Sequence, residues 1–329
     1  MMEIINRRVF FDIQQTMTTI PHTQHKGWLE YVETKRQKGI LYFVDDAQHP
    51  TICCWGEIYT QPFVGRVLRI EGESISGEIS VRAIKEFYDG IVQYVKEHKF
   101  AFVRVSSNLF YDTNYEIGIR QAGFIRPMSL TLCPLTVVLK PDRNRKPKKS
   151  WHYQYAQAKR SNLRFESVEH PSEENIRLFV KMYAEMATTK GLSHVPNERS
   201  LSKLLQYDEY RLFFVYSPEN VPLAVHLDYM CHHQGFHIMA ANTNEARNHK
   251  GATHYLIESV FEWMKERGID CYDLGRIGPG IRSSNSVCEF KRYSGGEERV
   301  YNGEWIYTNK KWTEYLYAFY LSKKWIDRF

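Results

Sequence analysis

The chain has 329 residues, enough for one large domain or two ordinary ones, with 43% hydrophobic and 14% aromatic residues to fill a core. Its beginning, Met1-Met2-Glu3-Ile4-Ile5-Asn6-Arg7-Arg8, lacks an apolar signal core, and its longest uncharged apolar stretch, Leu130 to Leu139, is too short to cross a bilayer, so a soluble cytoplasmic protein is expected. The net charge is +6, but Lys140 to Arg164 holds nine Lys or Arg and one acid, a local +8 that leaves the remainder at about −2.

In chain order, the first half predicts strands near Ile40–Val44, Thr51–Tyr59 and Val67–Glu71. A helix over Gly77–Glu97 and strands at Phe100–Val105 and Leu130–Leu139 follow. The basic block then breaks the periodicity at Pro141 and Pro147 and reads as a boundary, with lobes at 1–145 and 146–329. Beyond it, Trp151–Leu163 predicts a helix with a basic face. Pro171 and Ser172 open a helix with apolar positions at Ile176, Phe179, Val180, Tyr183 and Met186, and Gly191 is its stop. Strands are expected at Leu212–Tyr216, Pro222–Met230 and Gly235–Ala240, then an amphipathic helix over Gly251–Arg267 and a short strand over Ile269–Leu274. Ile91–Val105 can be laid over Val260–Leu274 with an offset of 169, each reading as a helix end followed by a strand. The expected class is α+β (mixed α/β), each half a central mixed sheet covered by helices.

The six cysteines (53, 54, 133, 231, 271 and 288) form no C-x-x-C pair, so neither a disulfide framework nor a zinc site is expected, and they read as small buried hydrophobes. Histidines 226, 232, 233, 237, 249 and 254 show no i,i+4 pair carrying an acid. His226 and Asp228 share a strand face, but the sequence offers too little for a metal centre there, and none is expected.

The stretch from Arg247 to Trp305 carries the candidate chemistry. A strand ending Tyr272-Asp273-Leu274 runs into the glycine-rich loop Gly275-Arg276-Ile277-Gly278-Pro279-Gly280, and Phe290-Lys291 precedes Gly295-Gly296. The glycine spacing is wrong for a dinucleotide fingerprint, and Ile281-Arg282-Ser283-Ser284-Asn285 does not read as the start of an apolar helix. An acyl-CoA enzyme needs a pyrophosphate loop at a helix start. The nearest match, Asn248-His249-Lys250-Gly251-Ala252-Thr253, lacks the first and last residues of the usual pattern, which weakens that reading.

These groups resemble the Fem-type peptidyl-bridge aminoacyltransferases (FemABX), which are built from two acetyltransferase-like (GNAT) lobes. The resemblance covers most of the chain: Gly123-Phe124 before Val137-Val138-Leu139, the basic helix Trp151–Arg164, the Gly251 helix, Tyr272-Asp273-Leu274-Gly275, Phe290-Lys291 with Gly295-Gly296, and Tyr301-Asn302-Gly303-Glu304-Trp305. The long coiled coil inserted in some members has no counterpart. The resemblance implies transfer of an amino acid from aminoacyl-tRNA to an amino group of a peptidoglycan precursor peptide, UDP- or lipid-linked, with no cofactor besides the tRNA co-substrate.

On that reading a neutral amine attacks an ester carbon and an oxyanion develops, which calls for a fixed cation and for a site holding both reactants. Lys291 matches the lysine of the family's Phe-Lys motif, and the plainer reading is a surface lysine before a turn. Phe290 would wall the acyl pocket. Asp273, at the carboxyl edge of the sheet, would orient the amine or take its proton; it also suits a turn cap. Tyr272 adjoins it. Arg276 and Arg282, flanking the glycine loop, would hold acceptor phosphates. Arg199 sits where the family often contacts the acceptor, and Lys203 replaces a tyrosine common in the family. Lys148, Lys149, Lys159, Arg160 and Arg164 would attract tRNA phosphates. Two other functions stay open: an acyl-CoA-dependent N-acyltransferase using acetyl-CoA or another acyl-CoA, and a non-catalytic protein binding a nucleotide-linked glycan or RNA. The C-terminal helix, with Trp312, Tyr315, Leu316, Phe319, Tyr320 and Trp325 among lysines, suits docking on the second lobe or peripheral membrane contact.

Overall fold

The structure, a computed structural model, describes residues 2–34, 39–128, 130–141, 145–278, 283–308, 310, 312–313, 315–316 and 319. The first half runs β1 (Glu3–Ile5), α1 (Arg7–Gln14), α2 (Lys26–Glu33), β2 (Gly39–Val44), β3 (Ile52–Gln61), β4 (Gly65–Ile70), β5 (Ser74–Ile75), α3 (Val81–Glu97), β6 (Phe102–Phe110), α4 (Thr113–Gln121) and β7 (Leu135–Leu139). The second runs α5 (Lys149–Arg160), β8 (Arg164–Val168), α6 (Glu173–Lys190), α7 (Glu198–Leu204), β9 (Tyr210–Tyr216), β10 (Pro222–Cys231), β11 (Gln234–Asn242), α8 (Ala252–Lys265), β12 (Cys271–Asp273), α9 (Ser283–Tyr293) and β13 (Glu297–Thr308).

Mixed α/β architecture follows, with the strands joined in one 13-stranded sheet in the order β1-β2-β3-β4-β6-β13-β7-β12-β11-β10-β9-β8, and β5 against β3. The join is an exchange. The last part of β13, Tyr301 to Thr308, pairs antiparallel with β6 of the first half. Its beginning, Glu297 to Val300, pairs with β7, which itself pairs with β12. A strand of each half is thus built into the sheet of the other. Separate apolar cores flank the sheet, one of α3 and α4 around Phe87, Ile91 and Trp305, another of α5 and α8 around Trp151, Leu256 and Val260.

Local signals explain most element ends. Ser172 caps α6 in a reciprocal capping box with Asn175, and Gly191 closes it in the left-handed conformation. Both halves of the internal repeat end a helix and begin a strand, α3 to β6 and α8 to β12. Three expectations are corrected. The helix expected to reach Leu163 ends at Arg160, because Asn162 turns the chain with positive φ into the edge strand β8. The strand expected from Leu130 begins only at Leu135, after Pro134, which has no N–H for a ladder. Finally, a helix does follow the glycine loop: α9 carries Lys291 and Arg292 in its last turn, where cations suit the helix dipole. Its apolar content is too low to announce it; Cys288 and Phe290, packed on the second core, hold it by tertiary contact. Of the C-terminal helix expected from Trp312, residues 311, 314, 317–318 and 320–329 lie outside those described.

Candidate active site

Two cavities lie on either side of the β12 edge. The larger, about 450 Å³, opens between the halves and is lined by Pro21, His22, Asn108 and Phe110 from the first and by Tyr229, Phe236, Asp273 and Tyr301 from the second. The other, about 400 Å³, belongs to the second half. Phe290 and Lys291 of α9, His226 of β10, His237 of β11 and Leu274 line it.

Lys291 is partly buried, and its ammonium nitrogen donates to the carbonyl oxygens of Gly275 (3.2 Å) and Arg276 (3.4 Å). Among the described residues these take two of its three N–H groups. Burial pushes the amine down to about 8, against the opposing charge of Asp273. The loop can pass this close because Gly275 has φ of +80°; a Cβ there would stand 2.9 Å from the His237 carbonyl oxygen and 3.7 Å from the Lys291 nitrogen. Phe290 packs at 5.0 Å against both Trp151, tilted, and His254, edge-to-face, so it forms a fixed aromatic wall beside the lysine.

Asp273 is buried, which raises its carboxyl above the ordinary range although its hydrogen bonds oppose the shift. Oδ1 accepts the Thr136 hydroxyl and, at 2.8 Å, the Gly275 N–H; Oδ2 accepts the Tyr301 hydroxyl. It thereby caps the turn that presents the Gly275 carbonyl to Lys291. Tyr272 is buried, lines neither cavity, and donates its hydroxyl to Asp228 Oδ2 at 3.1 Å.

Arg276 turns toward the first half. It donates to the Cys133 carbonyl (3.0 Å), the Ser107 carbonyl (3.2 Å) and Asn108 Oδ1 (2.5 Å), with its guanidinium 4.4 Å over the Tyr301 ring. Beside it, His22 stacks on Phe236 at 4.2 Å, and burial together with the Arg276 charge pushes its imidazole down to about 3. Arg199 and Lys203 lie on the exposed side of α7 and line neither cavity. Arg282 lies outside the described residues.

Within the basic block, Arg145 is drawn inward, bonded to Glu258 at 2.6 Å and stacked on Phe261. Lys148, Lys149, Lys159 and Arg160 on or beside α5 are exposed. Arg164, also exposed, pairs with Glu166 at 2.6 Å. A solvent-facing basic surface thus remains on α5.

Sequence reasoning missed the cross-half residues His22 and Asn108 and the part played by His237. A lone histidine or asparagine has no period or spacing to mark it, and only the folded sheet brings these to the cavities.

The arrangement of the lobes can be compared with solved structures. The crystal structure of FemX superposes with a TM-score of 0.77 at 12% identity, over 97% of this chain and 99% of that one. This chain has the fold of FemX. The structure of L-PGS from Bacillus licheniformis is similar at a TM-score of 0.64 and 14% identity, over 96% and 97% of the two chains. A tandem GNAT protein from the clavulanic acid biosynthesis pathway gives 0.52 at 8% identity, over 94% and 98%. The tandem GNAT architecture implied by the sequence is therefore present. No protein-family model matches the chain, and no curated protein matches it. Among the described residues, no helix is long and apolar enough to cross a membrane.

Proposed function

We propose that this protein is a cytoplasmic aminoacyltransferase that moves an amino acid from aminoacyl-tRNA to an amino group of a peptidoglycan precursor peptide. The observation that carries the reading is the placement of Lys291, a partly buried cation held against the Gly275 and Arg276 carbonyls beside Phe290, in a FemX-like fold.

In this reading the neutral amine of the acceptor attacks the ester carbonyl carbon of the charged tRNA. The C–N bond forms, the carbonyl oxygen becomes an oxyanion, and collapse breaks the bond to the ribose oxygen, which leaves with a proton derived from the amine. Lys291 supplies fixed positive charge to the oxyanion. Phe290 walls the acyl group. Asp273 positions the Gly275 turn and keeps a carboxyl near the lysine. The exposed cations Lys148, Lys149, Lys159 and Arg160 take tRNA phosphates, whose charge density such a surface attracts.

The acyl-CoA alternative finds less support. A pyrophosphate would need open space at the start of α8, but Gly251 there packs against α5, so closely that a Cβ would stand 2.0 Å from the Gln154 carbonyl oxygen.

The test offers each charged tRNA, carrying a labelled amino acid, together with a UDP-linked muropeptide in one arm and a lipid-linked one in the other. Transfer from one donor to one acceptor is expected. Failure with every charged tRNA, alongside robust acetyl transfer from acetyl-CoA, would overturn the proposal.

A further inference from the structure

Next to Lys291, three side chains converge for which the acyl-transfer reading has no use: His226 and Asp228 of β10 and His237 of β11. His226 and Asp228 are two residues apart and share a strand face. Their β11 neighbour is set by a bulge. Leu227 pairs with Met239, but Asp228 pairs with His237, so Ile238 is the extra residue that shifts the register. Without it Asp228 would oppose Ile238, and the second imidazole would be absent.

The convergence is tight. Asp228 has no exposed surface and His226 is 2% exposed. The Nδ1–H of His237 donates to Asp228 Oδ1 at 2.7 Å, and His226 Nδ1 lies 3.7 Å from Asp228 Oδ2. One candidate ligand atom from each residue lies within 4.8 Å of the others. In a four-coordinate zinc site with Zn–N and Zn–O bonds of about 2.1 Å, neighbouring ligand atoms stand about 3.4 Å apart. The two measured separations, which run to different oxygens of Asp228, straddle that value.

Two features separate this cluster from an ordinary buried histidine pair. First, His226 Nδ1 is buried and, among the described residues, has no hydrogen-bond partner. A buried ring nitrogen without a partner beside a carboxylate is costly as it stands, and a cation between them satisfies both. Second, the carboxylate at the centre of the cluster is held from outside it. Tyr272, donating to Asp228 Oδ2 at 3.1 Å, supplies the outer hydrogen bond that typically orients a ligating carboxylate. Both histidines line the 400 Å³ cavity, which provides an entry path and room for a fourth ligand from solvent.

We propose that His226, Asp228 and His237 form a binding site for a divalent first-row transition ion of the zinc class. Binding moves the His237 proton from Nδ1 to Nε2, which frees Nδ1 for the ion. The ion would lie in the wall of the Lys291 cavity, where the Asp228 charge offsets repulsion from the ammonium. The proposal does not depend on the acyl-transfer reading.

The test is a titration of the full chain, freed of metal with EDTA, by Zn²⁺ in a calorimeter and by Co²⁺ in absorption. One ion per chain, a tetrahedral Co²⁺ visible spectrum and a Zn²⁺-dependent rise in melting temperature are expected. His226→Asn and His237→Asn, which preserve size and polarity, should each weaken binding about 100-fold, and Tyr272→Phe about tenfold. Absence of binding by either ion at about 100 times the protein concentration would overturn the proposal, as would one-to-one binding unchanged in both histidine variants. Circular dichroism of the variants establishes that they fold.

Discussion

Lys291 Nζ donates to the carbonyl oxygen of Gly275 at 3.2 Å, and the N–H of that same glycine donates to Asp273 Oδ1 at 2.8 Å. One residue in the left-handed conformation therefore joins the candidate cation to a carboxyl it does not directly touch. The link depends on a position where a side chain would collide with the His237 carbonyl.

Lys291→Met should lower aminoacyl transfer on the order of 10²-fold or more, with an unchanged circular dichroism spectrum. Because burial brings the amine down to about 8, a reaction that needs the cation should lose rate as pH rises through about 8, well below the 10.5 of an ordinary lysine. Initial rates from pH 6 to 10 check both. A flat profile to about pH 10 would dismiss the cation's role.

Arg276→Ala should destabilise the fold by about 3 kcal/mol, since it removes charged hydrogen bonds to Cys133, Ser107 and Asn108 and the stacking on Tyr301. Arg276→Lys should recover less than half, because an ammonium cannot span the same fork of acceptors. Urea unfolding measures the difference.

Two glycines with left-handed backbones should respond very differently to alanine. At Gly191, with open space around the missing Cβ, the cost should be about 1 kcal/mol from backbone conformation alone. At Gly251 the Cβ would meet the Gln154 carbonyl at 2.0 Å, so α5 must move off α8 and the loss should be about 3 kcal/mol or more. Equal melting temperatures for the two variants would refute the close approach.

Acid should unfold this protein partly through His22 and His237. Their folded values, about 3 and about 4, lie below the ordinary 6.5. Folding therefore excludes protons that the unfolded chain binds. Their contribution is fully present above pH 6.5 and is lost as pH falls toward 4, at about 1.4 kcal/mol per pH unit for each group. Urea midpoints at pH 7, 5 and 4 follow it, and His237→Asn should flatten the slope over that window.

Lys159→Glu with Arg160→Glu should weaken tRNA binding while lowering thermal stability only modestly, because both side chains are exposed in the last turn of α5, where each acid opposes the helix dipole by roughly 0.3–1 kcal/mol. Two lost phosphate contacts should reduce the steepness of log Kd against log salt by about 1.5 to 2. An unchanged salt slope would place the tRNA elsewhere.

The sequence by itself determined what is local. The capping box at Ser172, the stop at Gly191, the paired helix-to-strand segments ending in β6 and β12, and the Phe290-Lys291 pair are all contained in short windows whose periodicity or turn chemistry is readable. Tertiary structure alone decided what depends on pairing. The exchange of β7 and β13 between the halves, the bulge that sets His237 opposite Asp228, and the turning of Arg276 toward Asn108 join residues up to 206 positions apart, from Phe102 to Thr308. Strand register is fixed by which faces are buried once the sheet assembles, and one extra residue in β11 changes which imidazole meets which carboxylate. The α9 helix, weak in apolar residues, belongs to the same class, since its formation rests on the core it covers.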